Sequence, residues 1–218
     1  MTQKERYQRV ISYFRETMPV AETELDYVSP YELIVAVILS AQCTDKRVNI
    51  ITPPLFKRFP AFKDLAEADP RELLGYIKSC SYPNSKTKYL ISMAKMVTEI
   101  YNGILPESPD ELVRLPGVGR KTANIISLVI HGKPAMPVDT HVFRVAARLG
   151  LTRGAKTPYA AEMQLVRNFS PEVLTIAHHW LILHGRYVCT ARKPKCSICG
   201  LRDLCLYYKN VVLKLTGG

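Results

Sequence analysis

Five prolines sit directly behind a helix-capping side chain: Ser29-Pro30, Asp69-Pro70, Ser108-Pro109, Thr157-Pro158 and Ser170-Pro171. Each pair reads as a helix start for a physical reason. The Ser, Thr or Asp oxygen accepts a first-turn N–H, and proline at the first helical position lacks only an N–H that would have gone unbonded. Ser29-Pro30-Tyr31-Glu32 and Ser108-Pro109-Asp110-Glu111 also read as capping boxes. Thr2 and Thr44 supply further caps, and residues 33–39 (LIVAVIL) are apolar on every side, as a central buried helix requires. No stretch alternates with the period of two that marks a half-buried strand. The expected fold class is all-α, with roughly ten short helices. Pro53-Pro54 is expected to break or kink the helix that follows Thr44.

Residues 115–144 carry more than architecture. Leu115-Pro116-Gly117-Val118-Gly119 is a turn between two helical patterns, so the segment reads as a helix-hairpin-helix. Two glycines are expected to let the backbone reach positive φ and approach a ligand without a Cβ in the way. The N–H groups that open the second helix favour an anion, which makes Gly117, Val118 and Gly119 candidate phosphate contacts. Lys121 stands in the first turn of that helix. A lysine amine has a pKa of about 10.4, so a nucleophilic role needs desolvation or neighbouring positive charge. The helix N-terminus, Arg120 and a basic surface supply the latter. Asp139 follows a Gly/Pro break and reads as the N-cap of a helix over residues 140–149, with Gly150 closing it. On spacing alone, two readings stand for each residue. Lys121 is a nucleophile or one more phosphate contact. Asp139 is a carboxylate that stabilises positive charge on a sugar ring, or only a cap.

The charge balance narrows the partner. Thirty Lys+Arg against 19 Asp+Glu give a net charge of +11, which points to a polyanion. An anionic membrane is the competing explanation, but no basic amphipathic helix or lipidation motif concentrates the charge. The polar N-terminus MTQKERYQRV does not read as a signal peptide, and the longest apolar run is too short to span a bilayer. The expectation is a cytoplasmic, nucleoid-associated protein, where disulfides are disfavoured.

The six cysteines then need another account. Cys189, Cys196, Cys199 and Cys205 follow the pattern C-x6-C-x2-C-x5-C, a strong metal signal in such a compartment. Zinc sites with four cysteine ligands usually use two close pairs, and only Cys196 and Cys199 form one here, so the spacing favours a [4Fe–4S] cluster over zinc. Arg192, Lys193 and Lys195 lie in the loop that the ligands pin, which presents cations to phosphates; a solvated basic loop is the alternative. Cys43 and Cys80 read as isolated thiols. His178, His179 and His184 on one helix read as core or surface histidines.

Taken together, LPGVGRKTAN with the later VDTH, LSAQCTDKRVN, and the four-cysteine spacing resemble the endonuclease III family of helix-hairpin-helix DNA glycosylases. The resemblance covers nearly the whole chain. It implies two helical domains flanking a DNA-binding cleft: a six-helix barrel with the hairpin over residues 23–133, and an iron–sulfur domain joining residues 1–22 to 134–218. It implies a bifunctional DNA glycosylase and AP lyase acting on oxidised pyrimidines in double-stranded DNA, with Lys121 as Schiff-base nucleophile and Asp139 assisting. The flipped base leaves a gap that Gln42 would fill and Tyr82 would wedge open. His141 and Arg144 match positions near the DNA backbone. Partners expected are damaged or abasic duplex DNA and no membrane, with the protein a monomer. Cys43 departs from the small residue usual after the glutamine, and reads as neutral. Two alternatives remain open. One is a monofunctional mismatch-type glycosylase, which lacks the lysine and carries a further C-terminal domain, whereas this sequence ends at Gly218. The other is a non-catalytic iron–sulfur DNA-binding module.

Overall fold

A computed structural model describes residues 1–213 of the 218. Among the described residues there are eleven α-helices, three short 3-10 or π turns and no strand. All five Ser/Thr/Asp-Pro pairs open a helix: α2 (Pro30–Ser40), α5 (Pro70–Ile77), α7 (Pro109–Leu112), α10 (Pro158–Asn168) and α11 (Pro171–Tyr187). The capping is less uniform than the motif suggests. Ser29 accepts the Glu32 N–H, whereas the Glu32 carboxylate takes the Val28 N–H, one residue outside the box. Ser108 and Ser170 make no side-chain cap at all, and α7 runs for a single turn.

The chain divides into two compact units. The first, Glu24–Gly132, is a hairpin unit holding α2, α3 (Asp45–Arg58), α4 (Phe62–Ala66), α5, α6 (Pro83–Ile100), α7 and α8 (Arg120–Val129). Its centre is α2. Leu33, Ile34, Val35, Ala36 and Leu39 have no exposed surface, and α3, α6 and α8 pack around them. Each fully buried Leu, Ile or Val there stabilises the unit by roughly 1.5–3 kcal/mol. Helix α3 is not broken, one of the two outcomes expected: it runs through Pro53 and Pro54 to Arg58. Both prolines face solvent, so water can satisfy the carbonyls they leave unbonded. Meanwhile Val48, Ile51, Thr52 and Leu55 bury the opposite face.

The second unit joins Met1–Thr23 to the chain from Lys133 onward. It holds α1 (Gln3–Thr17), α9 (Thr140–Leu149), α10, α11 and the cysteine segment. Thr2 and Glu5 form a complete capping box on α1. That helix is then docked by specific bonds: the Trp180 indole donates to Met18 O at 2.8 Å and stacks on Phe14, and Tyr7 Oη donates to Leu151 O at 2.9 Å. The buried Arg6 guanidinium donates to the carbonyls of Leu149 and Leu204, linking α1 to the end of α9 and to the cysteine segment.

Candidate functional site

In the hairpin, only one glycine takes the conformation expected of both. Gly117 has φ +79°, and a Cβ there would lie 2.8 Å from Cβ of Tyr89 on α6. Gly119 has an ordinary φ of −88° and open space where a Cβ would go. It is the N-cap of α8, and no side chain caps the helix there, which leaves its first turn open to a ligand. Val118 turns inward: it is 5% exposed, and its N–H is spent on Leu115 O at 3.0 Å. Lys121 is the second residue of α8, and its side chain is exposed, as is that of Arg120.

Gln42 and Tyr82 share one edge of the same unit. Gln42 follows the end of α2 and Tyr82 precedes α6; both are non-glycine residues with positive φ, 55° and 54°. Ser81 Oγ donates to Gln42 O at 2.6 Å, so the two loops are bonded to each other. Both side chains are exposed, Tyr82 by 63%. Sequence reasoning missed Lys86, which is buried beneath them. Its ammonium donates to Leu39 O and Ala41 O at 2.7 and 2.8 Å, capping the C-terminus of α2. Lysine is so seldom buried that no sequence signal marks this one.

In the other unit, Asp139 is the N-cap of α9. Its Oδ1 accepts the Val142 N–H at 2.8 Å, and Gly150 with φ +76° ends the helix. Arg144, expected at the DNA backbone, is bonded to the chain itself. Its Nε donates to Cys189 O at 3.1 Å and its Nη2 to Gly185 O at 2.9 Å, and His141 Nδ1 lies 3.3 Å from the same Nη2. These bonds brace α9 against α11 and the first cysteine of the cluster motif. Arg148, one turn on, carries no sequence signal for its role. Its Nη1 reaches Thr190 O at 2.8 Å and Cys189 Sγ at 3.5 Å, its Nη2 reaches Ala191 O at 2.8 Å, and its guanidinium stacks on Tyr207. The loop is closed further by Thr190 Oγ to Lys193 O and Lys195 N to Val188 O. Arg192, Lys193 and Lys195 stand on this pinned loop, all three exposed.

Cys189, Cys196, Cys199 and Cys205 line one cavity of about 330 Å3, counting its open mouth, with His184, Leu149 and Tyr207 among the other walls. Among the described residues, no three His, Cys, Asp or Glu side chains converge on a point that a single ion would occupy. Four cysteine sulfurs around one cavity suit a cluster held by thiolates. Burial pushes the thiols of Cys196 and Cys205 up, and that of Cys199 up to about 11. Burial thus favours the protonated form of these three thiols, whereas a cluster binds thiolates. His184 Nε2 lies 3.7 Å from Cys199 Sγ, and its own pKa is held down at about 4 by burial.

The sequence between these landmarks matches two family models: HhH-GPD superfamily base excision DNA repair protein over residues 35–171, and iron–sulfur binding domain of endonuclease III over residues 189–205. The endonuclease III of Rickettsia felis is 44% identical over 94% of this chain and 96% of its own length. The chain belongs to the endonuclease III family. The endonuclease III of Escherichia coli is 41% identical over 93% of this chain and 95% of its own. A solved structure described as a trapped endonuclease III–DNA covalent intermediate superimposes with a TM-score of 0.92. It is 38% identical and covers 97% of this chain and 100% of that one. As an endonuclease III-family chain it has a [4Fe–4S] cluster as its cofactor, which the four cysteines around the cavity would hold.

Proposed function

We propose that Lys121 is the nucleophile with which this endonuclease III-family chain does its chemistry. The chain is a base-excision-repair DNA glycosylase with AP lyase activity. The observation that carries the lysine assignment is its place on α8: an exposed amine in the first turn, two residues after a glycine N-cap that brings no side chain to the helix end. That arrangement puts a nucleophile beside an anion site, as attack on a sugar flanked by phosphates requires. A relative described as a trapped covalent DNA intermediate supports the same class of chemistry.

In this reading the amine of Lys121 bonds to C1′ as the base departs. The Asp139 carboxylate, with one oxygen held by the Val142 N–H, offers the other to the developing positive charge. The resulting Schiff base acidifies the adjacent sugar carbon, and β-elimination expels the 3′-phosphate. The substrates are oxidised pyrimidines such as thymine glycol, and abasic sites, in duplex DNA. The protein acts as a monomer in the cytoplasm. Gln42 supplies hydrogen bonds to the orphaned base, and Tyr82 is the apolar wedge. The amides around Gly117 and Gly119, with Arg192, Lys193 and Lys195, take phosphates. Val118 holds the turn from below, while His141 and Arg144 act at the backbone by way of the α9 brace. The cluster supplies structure, tying residues 189–205 into a rigid loop, and no step of the reaction passes through it.

Borohydride trapping tests the assignment. A duplex with one thymine glycol should yield a covalent protein–DNA band with the native chain. Lys121→Gln should give no band while retaining duplex affinity within about threefold. Base release with no band from the native chain would overturn the Schiff base and leave Asp139 acting on water.

A further inference from the structure

The loops that carry Gln42 and Tyr82 are joined by a second feature that has no part in that chemistry. Cys43 and Cys80 are 37 positions apart, yet their sulfurs lie 3.7 Å from each other. A disulfide closes that distance to about 2.05 Å, within reach of side-chain rotation and a small loop shift. Neither thiol belongs to the cluster segment. Cys43 is half-buried and Cys80 is 5% exposed, so reagents reach the pair through Cys43.

The surroundings assign the two sulfurs different parts. Burial, then the hydrogen bond with Cys43, pushes the Cys80 thiol up to about 11, so it does not initiate attack. The buried Lys86 ammonium and Arg47 act in the opposite sense on Cys80, favouring its thiolate once it is needed. The loops are also poised to register a change. Each has a left-handed non-glycine residue, and a hydroxyl–carbonyl bond from Ser81 ties one to the other.

We propose that Cys43 and Cys80 form a redox-active dithiol, and that oxidation to a disulfide locks the Gln42 and Tyr82 loops and suppresses base excision. The oxidant is a low-molecular-weight disulfide. The Cys43 thiolate attacks one of its sulfurs, forming a mixed disulfide and releasing one small thiol. Cys80 gives up its proton and attacks the Cys43 sulfur; the mixed bond breaks and the second small thiol leaves. Two protein thiols have then lost two protons and two electrons, which appear on the two small thiols. The effect on excision rests on the function proposed above, whereas formation of the bond does not.

The experiment uses the cluster-loaded protein in glutathione buffers of rising oxidised fraction. Free thiols are counted by mass-tagged alkylation, the linked peptides by mass, and the cluster by its visible absorbance. Excision of thymine glycol and affinity for an abasic duplex are measured in parallel. The expected result is one Cys43–Cys80 disulfide, an unchanged cluster, and excision lowered about tenfold or more, since ångström-scale misplacement of positioning groups costs that much. Reductant restores activity. Cys43→Ala keeps basal excision and loses the sensitivity, and Cys80→Ser does the same should the alanine variant fold poorly. No disulfide with an intact cluster overturns the proposal. So does a disulfide that leaves excision and affinity unchanged, or inhibition that persists in Cys43→Ala. A reduced native protein that excises nothing overturns the function reading instead, and duplex affinity then becomes the readout for the dithiol.

Discussion

Gly117 and Gly119 stand two positions apart and answer to different constraints. At Gly117 the backbone is left-handed and Tyr89 occupies the space a methyl would need; at Gly119 neither holds. Gly117→Ala should therefore lower unfolding free energy by about 2 kcal/mol, from the left-handed penalty and the clash together. Gly119→Ala should cost less, about 1 kcal/mol, because glycine is the better N-cap but neither strain nor a clash is added. Urea denaturation of both variants checks the ranking, and an equal loss at the two positions would contradict it. The buried residues divide in the same way. Burial holds the pKa of His179 at about 4. A folded-state pKa below the unfolded value of about 6.5 means the neutral ring contributes stability above pH 6.5, which is lost as the pH falls toward 4. The native protein should lose roughly 2 kcal/mol from this group between about pH 7.5 and pH 5. His179→Gln should show a correspondingly shallower acid limb in denaturant titrations. A variant with the same acid slope as the native chain would show that the stability lies elsewhere.

At the scale of elements, the loop over residues 190–195 is held by Arg148 as well as by its own hydrogen bonds. A lysine ammonium cannot reproduce a fork that serves two carbonyls, a sulfur and an aromatic face. Arg148→Lys should purify with a reduced ratio of cluster absorbance to protein and lose about 2 kcal/mol of stability. Full cluster retention would argue against the brace. If Arg192, Lys193 and Lys195 each neutralise one phosphate, the triple alanine variant should flatten the salt dependence of duplex affinity by roughly 2.7 in log–log slope. A slope that does not change would return the loop to the class of solvated charge runs. The helix starts themselves are legible because the signal is local: each of the five Ser/Thr/Asp-Pro pairs opens a helix, although Ser108 and Ser170 make no side-chain cap. What stays hidden depends on distant partners. Arg144 and Arg148 read as basic residues on α9 until Cys189, Thr190 and Ala191 are placed opposite them. Lys86 reads as an ordinary lysine until the end of α2 lies over it. Cys43 and Cys80 look solitary because 37 residues separate them. The break expected as one outcome at Pro53-Pro54 is the converse error, a local rule applied where a buried helix face outweighs it.

For the whole molecule, the path of the chain through its two units matters as much as their contents. Helix α1 lies in sequence before the hairpin unit, yet its apolar face of Tyr7, Val10 and Phe14 belongs to the other core, where Trp180 and Phe169 complete it. On the ribosome, α1 therefore emerges before the hairpin unit but can be placed only after that unit has been made. At about 5–20 residues per second, roughly 8 to 30 seconds separate its synthesis from that of Trp180. During that interval residues 24–132 can complete their own core, while α1 waits with three large apolar side chains uncovered. This path of the chain thus carries a built-in period of dependence on whatever shields new chains in the cell, and translation speed across the roughly 160 intervening codons sets its length.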